Sequence, residues 1–213
     1  MDKEQTKRIV TLAVCVKLAQ EKQYYIPAAV SARHIHLSAA DRDALFGPGY
    51  ALHLMRPLSQ PGQFACEEKL AVVGPKGRIE GVRILGPERP DTQVEISMTD
   101  TLKLGITAMV RMSGDIAGTP GCRLVGPKGE VELKQGVIVA VRHLHMSAQE
   151  AAAYGLKSGD IVSAQKRGVR DITLGNIAVR SGDGHALELH IDTDEANAAG
   201  IQCGDLLELV RES

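Results

Sequence analysis

The sequence VSARHIHLSAADRDALFG at residues 30–47 recurs, with few changes, as VAVRHLHMSAQEAAAYG at residues 139–155. Both segments contain Arg-His-x-His followed by an apolar residue and a serine. A second similarity lies downstream of each, since residues 95–106 (EISMTDTLKLGI) align without a gap with residues 190–201 (HIDTDEANAAGI). Self-similarity of this kind indicates that the chain contains a duplicated structural unit.

The pentapeptide VGPKG also occurs twice, at residues 73–77 and 125–129, each time between segments of alternating apolar residues. This pattern predicts a strand, a tight turn and a second strand. Hairpin geometry explains the Pro-Lys-Gly turn better than phosphate binding does. VGPKG follows the first Arg-His-x-His segment but precedes the second. The two halves are therefore expected to be circularly related, with strands crossing between them.

Short strands separated by turns dominate the predicted secondary structure. Each Arg-His-x-His segment is preceded by a short β-prone stretch and followed by a helix start at Ser38 or Ser147. The 22 glycines and 9 prolines suggest many turns. We therefore expect a mainly β fold of two small β-barrel domains, residues 26–138 and 139–213, capped by short α-helices.

Residues 1–25 predict an amphipathic α-helix ahead of the first barrel. Apolar residues recur there at helical spacing, with lysine and arginine beside them. The apolar positions are Ile9, Leu12, Ala13, Val16 and Ala19, and Val10, Val14 and Leu18 broaden the face. A broad apolar face favours burial against a partner surface.

The composition argues against several classes of protein. A net charge of −1 without a long basic run, and an aromatic content of 3% without tryptophan, argue against nucleic-acid binding. The four cysteines lack Cys-x-x-Cys spacing, which favours a reducing, cytoplasmic setting over a disulfide framework. The apolar stretch from Ile9 to Val16 is far shorter than the roughly 20 residues of a membrane-spanning helix, so no membrane association is expected.

The two His-x-His pairs are candidate metal ligands. Side chains at positions i and i+2 of a β-strand point to the same face, so His34 and His36 can reach one ion, as can His143 and His145. A single His-x-His pair is more often an ordinary polar feature of a sheet. Here the pair is duplicated, and five of the seven histidines fall in ligand positions, which favours metal binding.

The repeat alignment supplies a third ligand for each pair, because Glu95 in the first copy occupies the position of His190 in the second. Three protein ligands with an open position are typical of catalytic zinc sites. Fe, Co, Ni and Mn also suit imidazole and carboxylate ligands. His53 and His185 lack partners by this reasoning and are predicted to be surface residues.

Arginines near these motifs suggest an anionic substrate, because a guanidinium group can bind phosphate through two hydrogen bonds. Each arginine taken alone is more often solvated or salt-bridged. The arginines concerned are Arg33, Arg83, Arg89, Arg142 and Arg180.

Six segments occur in order and form a long and unusual combination: SARHIHLS, LSQPGQFACEE, VGPKGRIEGVRILGP, QVEIS, RHLHMS and LELHIDTDEANAAG. Together they resemble the PduL-type phosphate propanoyltransferase (phosphotransacylase) family over residues 26–209. The resemblance implies two β-barrels with a di-zinc site between them. It also implies an enzyme that reversibly converts propanoyl-CoA, or acetyl-CoA, and phosphate into acyl phosphate and CoA.

The resemblance also implies roles for individual residues. The metal ligands would be His34, His36, Glu95, His143, His145 and His190. The phosphate site would contain Arg89, also the proposed catalytic residue, with Arg180, Ser113 and Gln63. The CoA site would contain Ser31, Arg56, Arg83, Leu85, His190 and Asn197. Arg56 could equally be an ordinary surface arginine.

Direct transfer of the acyl group to phosphate is the expected mechanism, with arginines and a metal holding phosphate. A covalent acyl-enzyme is the less favoured alternative, because neither Cys66 nor Cys122 has an identifiable histidine partner in the sequence. Two other interpretations are a binuclear metallohydrolase of a thioester or phosphoester and a non-catalytic metal-binding protein. Phosphate-dependent CoA release distinguishes the transferase from both.

The N-terminal helix has two interpretations. Family members housed in bacterial microcompartments carry a comparable encapsulation helix, which would imply shell or cargo proteins as partners. Alternatively, the helix packs on its own barrel or at a subunit contact in a homo-oligomer, which is the expected assembly. The sequence leaves open the acyl chain preferred and the pathway served, whether propanediol degradation or another.

Overall fold

The computed structural model describes residues 3–107 and 109–210, which form two compact units. The first, called the barrel unit, contains the chain up to Ser31 together with the chain from Arg142 onward. The second, called the sheet unit, contains Ala32–Val141.

The described residues form five helices and fifteen strands. In chain order these are α1 (Lys3–Gln20), β1 (Tyr25–Ser31), β2 (His34–His36), α2 (Ala39–Phe46), β3 (Leu54–Pro57), β4 (Phe64–Val73), β5 (Arg78–Gly86), β6 (Gln93–Glu95), α3 (Met98–Leu104), β7 (Val110–Arg111), β8 (Cys122–Val125), β9 (Glu130–Leu133), β10 (Val137–Ala140), β11 (His143–Met146), α4 (Ala148–Tyr154), β12 (Ile161–Lys166), β13 (Ile172–Ser181), β14 (Glu188–Asp192), α5 (Thr193–Ala199) and β15 (Leu206–Val210).

Six strands of the barrel unit close into a barrel in the order β1-β14-β11-β13-β12-β15. β1 closes it by pairing in parallel with β14 and antiparallel with β15. Leu144 and Met146 of β11 and Leu189 and Ile191 of β14 belong to its buried apolar core. Because side chains alternate along a strand, the histidines between these core residues point to the other face.

Nine strands of the sheet unit form a curled sheet in the order β7-β10-β6-β2-β5-β4-β8-β9, with β3 paired to β4. β2 lies between β5, to which it is parallel, and β6, to which it is antiparallel. Ile35 of β2 and Val94 of β6 are fully buried in the core of this unit. The flanking residues of both strands therefore point away from that core.

The predicted mainly β fold with short helices and an N-terminal helix is confirmed. The predicted helix starts are also confirmed, because the Ser38 side chain accepts a hydrogen bond from the Asp41 amide and the Ser147 side chain accepts one from the Glu150 amide. The two compact units are not the two contiguous segments that the sequence suggested, since the barrel unit combines the chain up to Ser31 with the chain from Arg142 onward. β1 belongs with β14 and β15, because its backbone hydrogen bonds are made with those two strands.

The two VGPKG segments form the expected hairpin turns, joining β4 to β5 and β8 to β9. Each turn also contacts the end of a short helix. The Lys76 amide donates to the Leu104 carbonyl at 3.0 Å, and the Lys128 amide donates to the Leu45 carbonyl at 3.0 Å. A Cβ at Gly74 would lie 2.3 Å from the Leu104 carbonyl oxygen, so glycine permits this approach. The motif is therefore a structural device that completes a helix end.

The N-terminal helix α1 packs on the barrel unit through one face only. Cys15 and Ala19 are buried in the barrel core, with Leu12 packed against it. Ile9 and Val14, in contrast, are about half exposed. The helix therefore buries one face, which includes Cys15, a residue that the predicted apolar face omitted, while Ile9 and Val14 of the predicted face are exposed. No helix in the described ranges is long and apolar enough to cross a membrane.

Cys15→Asp is expected to destabilise the barrel unit by at least about 3 kcal/mol, because it places a carboxylate in an apolar core. Val14→Asp, one residue away on the exposed side of α1, should change stability by less than about 0.5 kcal/mol. Thermal unfolding followed by circular dichroism measures both. Equal midpoints for the two variants would contradict the packing of α1.

Candidate metal centres

The first candidate centre lies in the sheet unit, where β2 and β6 run antiparallel. His34 is opposite Glu95, and His36 is opposite Gln93. His34 and Glu95 are each 8% exposed and His36 is 2% exposed. Ligand atoms of these three residues all lie within 4.8 Å of one another, close enough to bind one ion. We call this group the Glu95 centre.

Backbone carbonyls orient both histidines of the Glu95 centre. His34 Nδ1 lies 2.9 Å from the Ala32 oxygen, and His36 Nδ1 lies 3.2 Å from the Leu85 oxygen. A carbonyl can only accept, so each Nδ1 carries the proton. In the neutral ring this leaves Nε2 with its lone pair as the metal-binding nitrogen, and a second hydrogen bond of this kind is typical of ligating histidines.

The carboxylate of Glu95 is held by one oxygen. Oε1 accepts hydrogen bonds from Gln93 Nε2 and from Ser113 Oγ, both at 2.7 Å. Oε2 faces His34 Nε2 at 3.5 Å. Arg89 Nη1 in turn donates to Ser113 Oγ at 3.0 Å. A continuous chain of hydrogen bonds thus joins a guanidinium group to the carboxylate of the centre.

The electrostatics of the Glu95 centre suit a cation. Burial disfavours ionisation of Glu95, but the charges of His34 and His36 and the hydrogen bonds outweigh it and lower its pKa. Burial likewise opposes protonation of His34, yet Glu95 raises the pKa of that ring. Burial, His34 and Arg89 together lower the pKa of His36 to about 3. A buried carboxylate beside a neutral imidazole is a donor set that fits a divalent ion.

The second candidate centre lies in the barrel unit, where β11 and β14 run antiparallel. His143 is opposite His190, and His145 is opposite Glu188. The three imidazole rings are mutually close, with centroids 4.8 to 5.1 Å apart. Their ligand atoms also lie within 4.8 Å of one another. We call this group the His190 centre.

The buried imidazole nitrogens of the His190 centre favour binding of a metal ion. Burial and the neighbouring histidines lower the pKa of His145 to about 2, so this ring is neutral near pH 7. Its Nδ1 is buried and has no hydrogen-bond partner among the described residues. A buried polar atom without a partner destabilises a protein unless a ligand satisfies it. His190 contacts Glu188 through Nε2 at 2.9 Å and Ser31 Oγ through Nδ1 at 3.5 Å.

Three of the four residues assigned to phosphate surround the Glu95 centre. Gln63 and Arg89 line an open cleft of about 280 Å³ together with His36. Ser113 is hydrogen-bonded to Arg89. The fourth residue, Arg180, lies in the barrel unit opposite His145 in the parallel β11–β13 pair. Its charge contributes to the lowered pKa of His145.

The residues assigned to CoA are distributed over both units. In the barrel unit, Ser31 contacts His190, while Asn197 is exposed on α5. In the sheet unit, Arg56 is exposed on β3, and Arg83 and Leu85 are half-buried on β5. Arg83 Nη1 donates to the Cys66 carbonyl at 2.7 Å and to the Glu67 carbonyl at 3.2 Å.

The arginine of each Arg-His-x-His segment is engaged in an ion pair. Arg33 Nε donates to Asp100 Oδ2 at 2.8 Å, and Arg142 Nε donates to Glu195. Asp100 and Glu195 occupy equivalent positions of the repeat, as the third residues of α3 and α5. Both arginines are therefore salt-bridged, which is the alternative to substrate binding that the sequence left open.

Sequence reasoning missed two residues beside the His190 centre. His185, predicted to be on the surface, is half-buried and stacks on His145 with a centroid distance of 4.4 Å. That prediction was wrong because His185 lies in the loop before β14, and this loop places its ring against His145. Glu188 could have been found from its position two residues before His190, which places both side chains on one face of a strand. The surface prediction for His53 is confirmed, since its side chain is 63% exposed and pairs with Glu68.

Comparisons with known proteins point to one family. A family model described as phosphate propanoyltransferase matches residues 27–202. A curated phosphate propanoyltransferase from Escherichia fergusonii is 50% identical over 195 residues, covering 91% of this chain and 92% of the relative. One from Thermotoga maritima is 48% identical over 190 residues, covering 89% and 90%. One from Priestia megaterium is 48% identical over the full length of both chains.

The chain is expected to bind two divalent ions, one at each centre, and His36→Ala is expected to reduce the number to one. The variant removes a buried ligand from the Glu95 centre and leaves the His190 centre intact. Elemental analysis of protein dialysed against Zn²⁺ and then buffer gives the stoichiometry. His53→Ala, which removes a histidine outside both centres, should retain two ions. Two tightly bound ions in His36→Ala would exclude this residue as a ligand.

Proposed function

Because the chain belongs to the phosphate propanoyltransferase family, we propose that it reversibly transfers a propanoyl or acetyl group between CoA and phosphate with the help of two zinc ions. The observation that carries this proposal is the pair of largely buried groups of three candidate ligands, one of which is hydrogen-bonded through Ser113 to Arg89. An anion-binding arginine next to a metal centre is what phosphate activation requires.

Phosphate is proposed to bind in the cleft beside the Glu95 centre. The guanidinium of Arg89 would bind two phosphate oxygens, and the Gln63 amide would donate a further hydrogen bond. Ser113 fixes the guanidinium through the hydrogen bond from Nη1. Arg180, on β13 of the barrel unit, is the further proposed phosphate-binding residue. Arg89 thereby orients the attacking oxygen and is the proposed catalytic residue.

Zinc would be held by His34, His36 and Glu95 at one centre and by His143, His145 and His190 at the other. When bound, it would supply Lewis-acid stabilisation of negative charge during acyl transfer. The protein contributes pre-oriented ligands, since the ring of His36 is fixed by the Leu85 carbonyl and the carboxylate of Glu95 by Ser113. Ions other than zinc share this ligand chemistry.

The acyl group is proposed to pass directly from sulfur to phosphate. A phosphate oxygen attacks the thioester carbonyl carbon, a carbon–oxygen bond forms, and the carbon–sulfur bond breaks with its electron pair leaving on the CoA thiolate. The cysteines favour this route over an acyl-enzyme. Burial raises the pKa of Cys66 to about 11 and that of Cys122 to about 12, so neither thiol is a ready nucleophile.

Six residues are proposed to contact CoA. Arg56 and Arg83 offer positive charge for its phosphate groups, and Ser31 lies next to His190. The full proposed set is Ser31, Arg56, Arg83, Leu85, His190 and Asn197.

A location inside a bacterial microcompartment and a homo-oligomeric assembly are also proposed. Both need an interaction surface, and the exposed side of α1 offers Ile9, Val10 and Val14 for one. The opposite side of this helix is occupied by the barrel core. Shell or cargo proteins, or a second copy, would bind to the exposed side.

CoA release from propanoyl-CoA is expected to depend strictly on phosphate and on metal. Release is followed with a thiol reagent for untreated protein, chelator-treated protein and His143→Ala, with and without phosphate. Both treatments should reduce the phosphate-dependent rate by at least about 100-fold, because each removes stabilisation of the transition state. Phosphate-independent release would indicate a thioester hydrolase, and no release from acetyl-CoA or propanoyl-CoA would refute the proposal.

Arg89→Lys is expected to raise the KM for phosphate about 10- to 100-fold, because lysine keeps the charge but loses the planar pair of donors. Arg111→Lys is the matched control, since Arg111 pairs with Asp115 at 3.7 Å and lies outside the cleft. Its KM should be unchanged. Initial rates at varied phosphate concentrations measure both values. An unaltered KM in Arg89→Lys would remove Arg89 from the phosphate site.

A further inference from the structure

The repeat places different side chains two residues before the third ligand of each centre. Gln93 precedes Glu95, and Glu188 precedes His190. The positions are equivalent in space as well, because Gln93 lies opposite His36 and Glu188 lies opposite His145 in the two strand pairs. Gln93 is 2% exposed and Glu188 is 8% exposed. Each centre therefore contains one buried carboxylate, but at exchanged positions.

Glu188 is in hydrogen-bond contact with a metal ligand. Its Oε2 lies 2.9 Å from His190 Nε2. An ionised carboxylate only accepts hydrogen bonds, so His190 Nε2 donates and its Nδ1 keeps the lone pair in the neutral ring. At the Glu95 centre the equivalent contact joins a neutral amide to a carboxylate, since Gln93 Nε2 donates to Glu95 Oε1.

The contact between Glu188 and His190 affects the net charge of the His190 centre when a metal ion is bound. A divalent ion with two imidazoles and Glu95 leaves a single positive charge at the Glu95 centre. A divalent ion with three imidazoles would leave two positive charges at the buried His190 centre, which is costly in a low-dielectric site. The carboxylate of Glu188 reduces that charge to one. The exchange of Gln93 and Glu188 thus keeps the two centres electrostatically equal.

Resting on the proposed binding of metal at both centres, we infer that Glu188 is a positioning residue of the His190 centre. Its carboxylate orients the ring of His190 through Nε2 and supplies the negative charge that the three histidine ligands lack. Carboxylate partners of ligating histidines typically contribute 10- to 100-fold to metal affinity.

Glu188→Gln tests this inference, because the amide retains the shape and the acceptor oxygen but not the charge. The variant is made in the His36→Ala background, in which only the His190 centre is complete. Zn²⁺ affinity is measured by competition with a chromophoric chelator, and Co²⁺ absorption reports the ligand field of the same centre. Glu188→Gln is expected to weaken Zn²⁺ binding about 10- to 100-fold and to shift the Co²⁺ spectrum.

Glu208→Gln is the matched control, since Glu208 is exposed on β15 of the same unit. It should bind Zn²⁺ like the His36→Ala parent. Glu188→Asp guards against misfolding, because it keeps the charge and should bind more tightly than Glu188→Gln. Equal affinities for Glu188→Gln and Glu208→Gln would overturn the inference. Failure of the parent to bind any ion would overturn the proposed metal centre itself, so the two failures are distinguishable.

Discussion

The pairing of each His-x-His strand with its antiparallel neighbour is the constraint on which both candidate centres depend. It places His34 opposite Glu95 and His143 opposite His190. The apolar residue between each pair of histidines is fully buried on the opposite face of the strand. A slip of one residue would turn the histidines into the apolar core, so core packing fixes the register. Ligand geometry is therefore determined by burial of the residues between the ligands.

The ion pairs beside the centres explain why the repeat preserves Arg-His-x-His and not only His-x-His. Arg33 contacts Asp100, and Arg142 contacts Glu195. Each acidic residue also completes a capping box at the start of the helix that follows the third ligand. In each copy the acidic residue thus links the start of that helix to the arginine that precedes the His-x-His strand. Both arginines are thus tied to the helix that follows the third candidate ligand.

The ligand groups were predictable because duplication makes equivalent positions visible, and Glu95 aligns with His190 without a gap. Features that occur in only one unit could not be predicted in this way. The buried side of α1 includes Cys15, which helical spacing could not select from a broad apolar face. His185 has no counterpart in the first copy, and its stacking on His145 depends on the path of a loop. The pairing of β1 with β14 and β15 joins segments more than 150 residues apart, beyond the reach of local patterns.

Both centres contain buried polar groups that are unfavourable unless an ion is bound to them. Glu95 is buried and ionised, and His145 has a buried nitrogen without a partner among the described residues. Such groups lower stability unless an ion satisfies them. Metal binding would therefore contribute to folding as well as to catalysis, because the ligands are pre-oriented only in the folded state. Each copy of the duplicated unit contains its own buried polar group of this kind, which argues for a function that needs both centres.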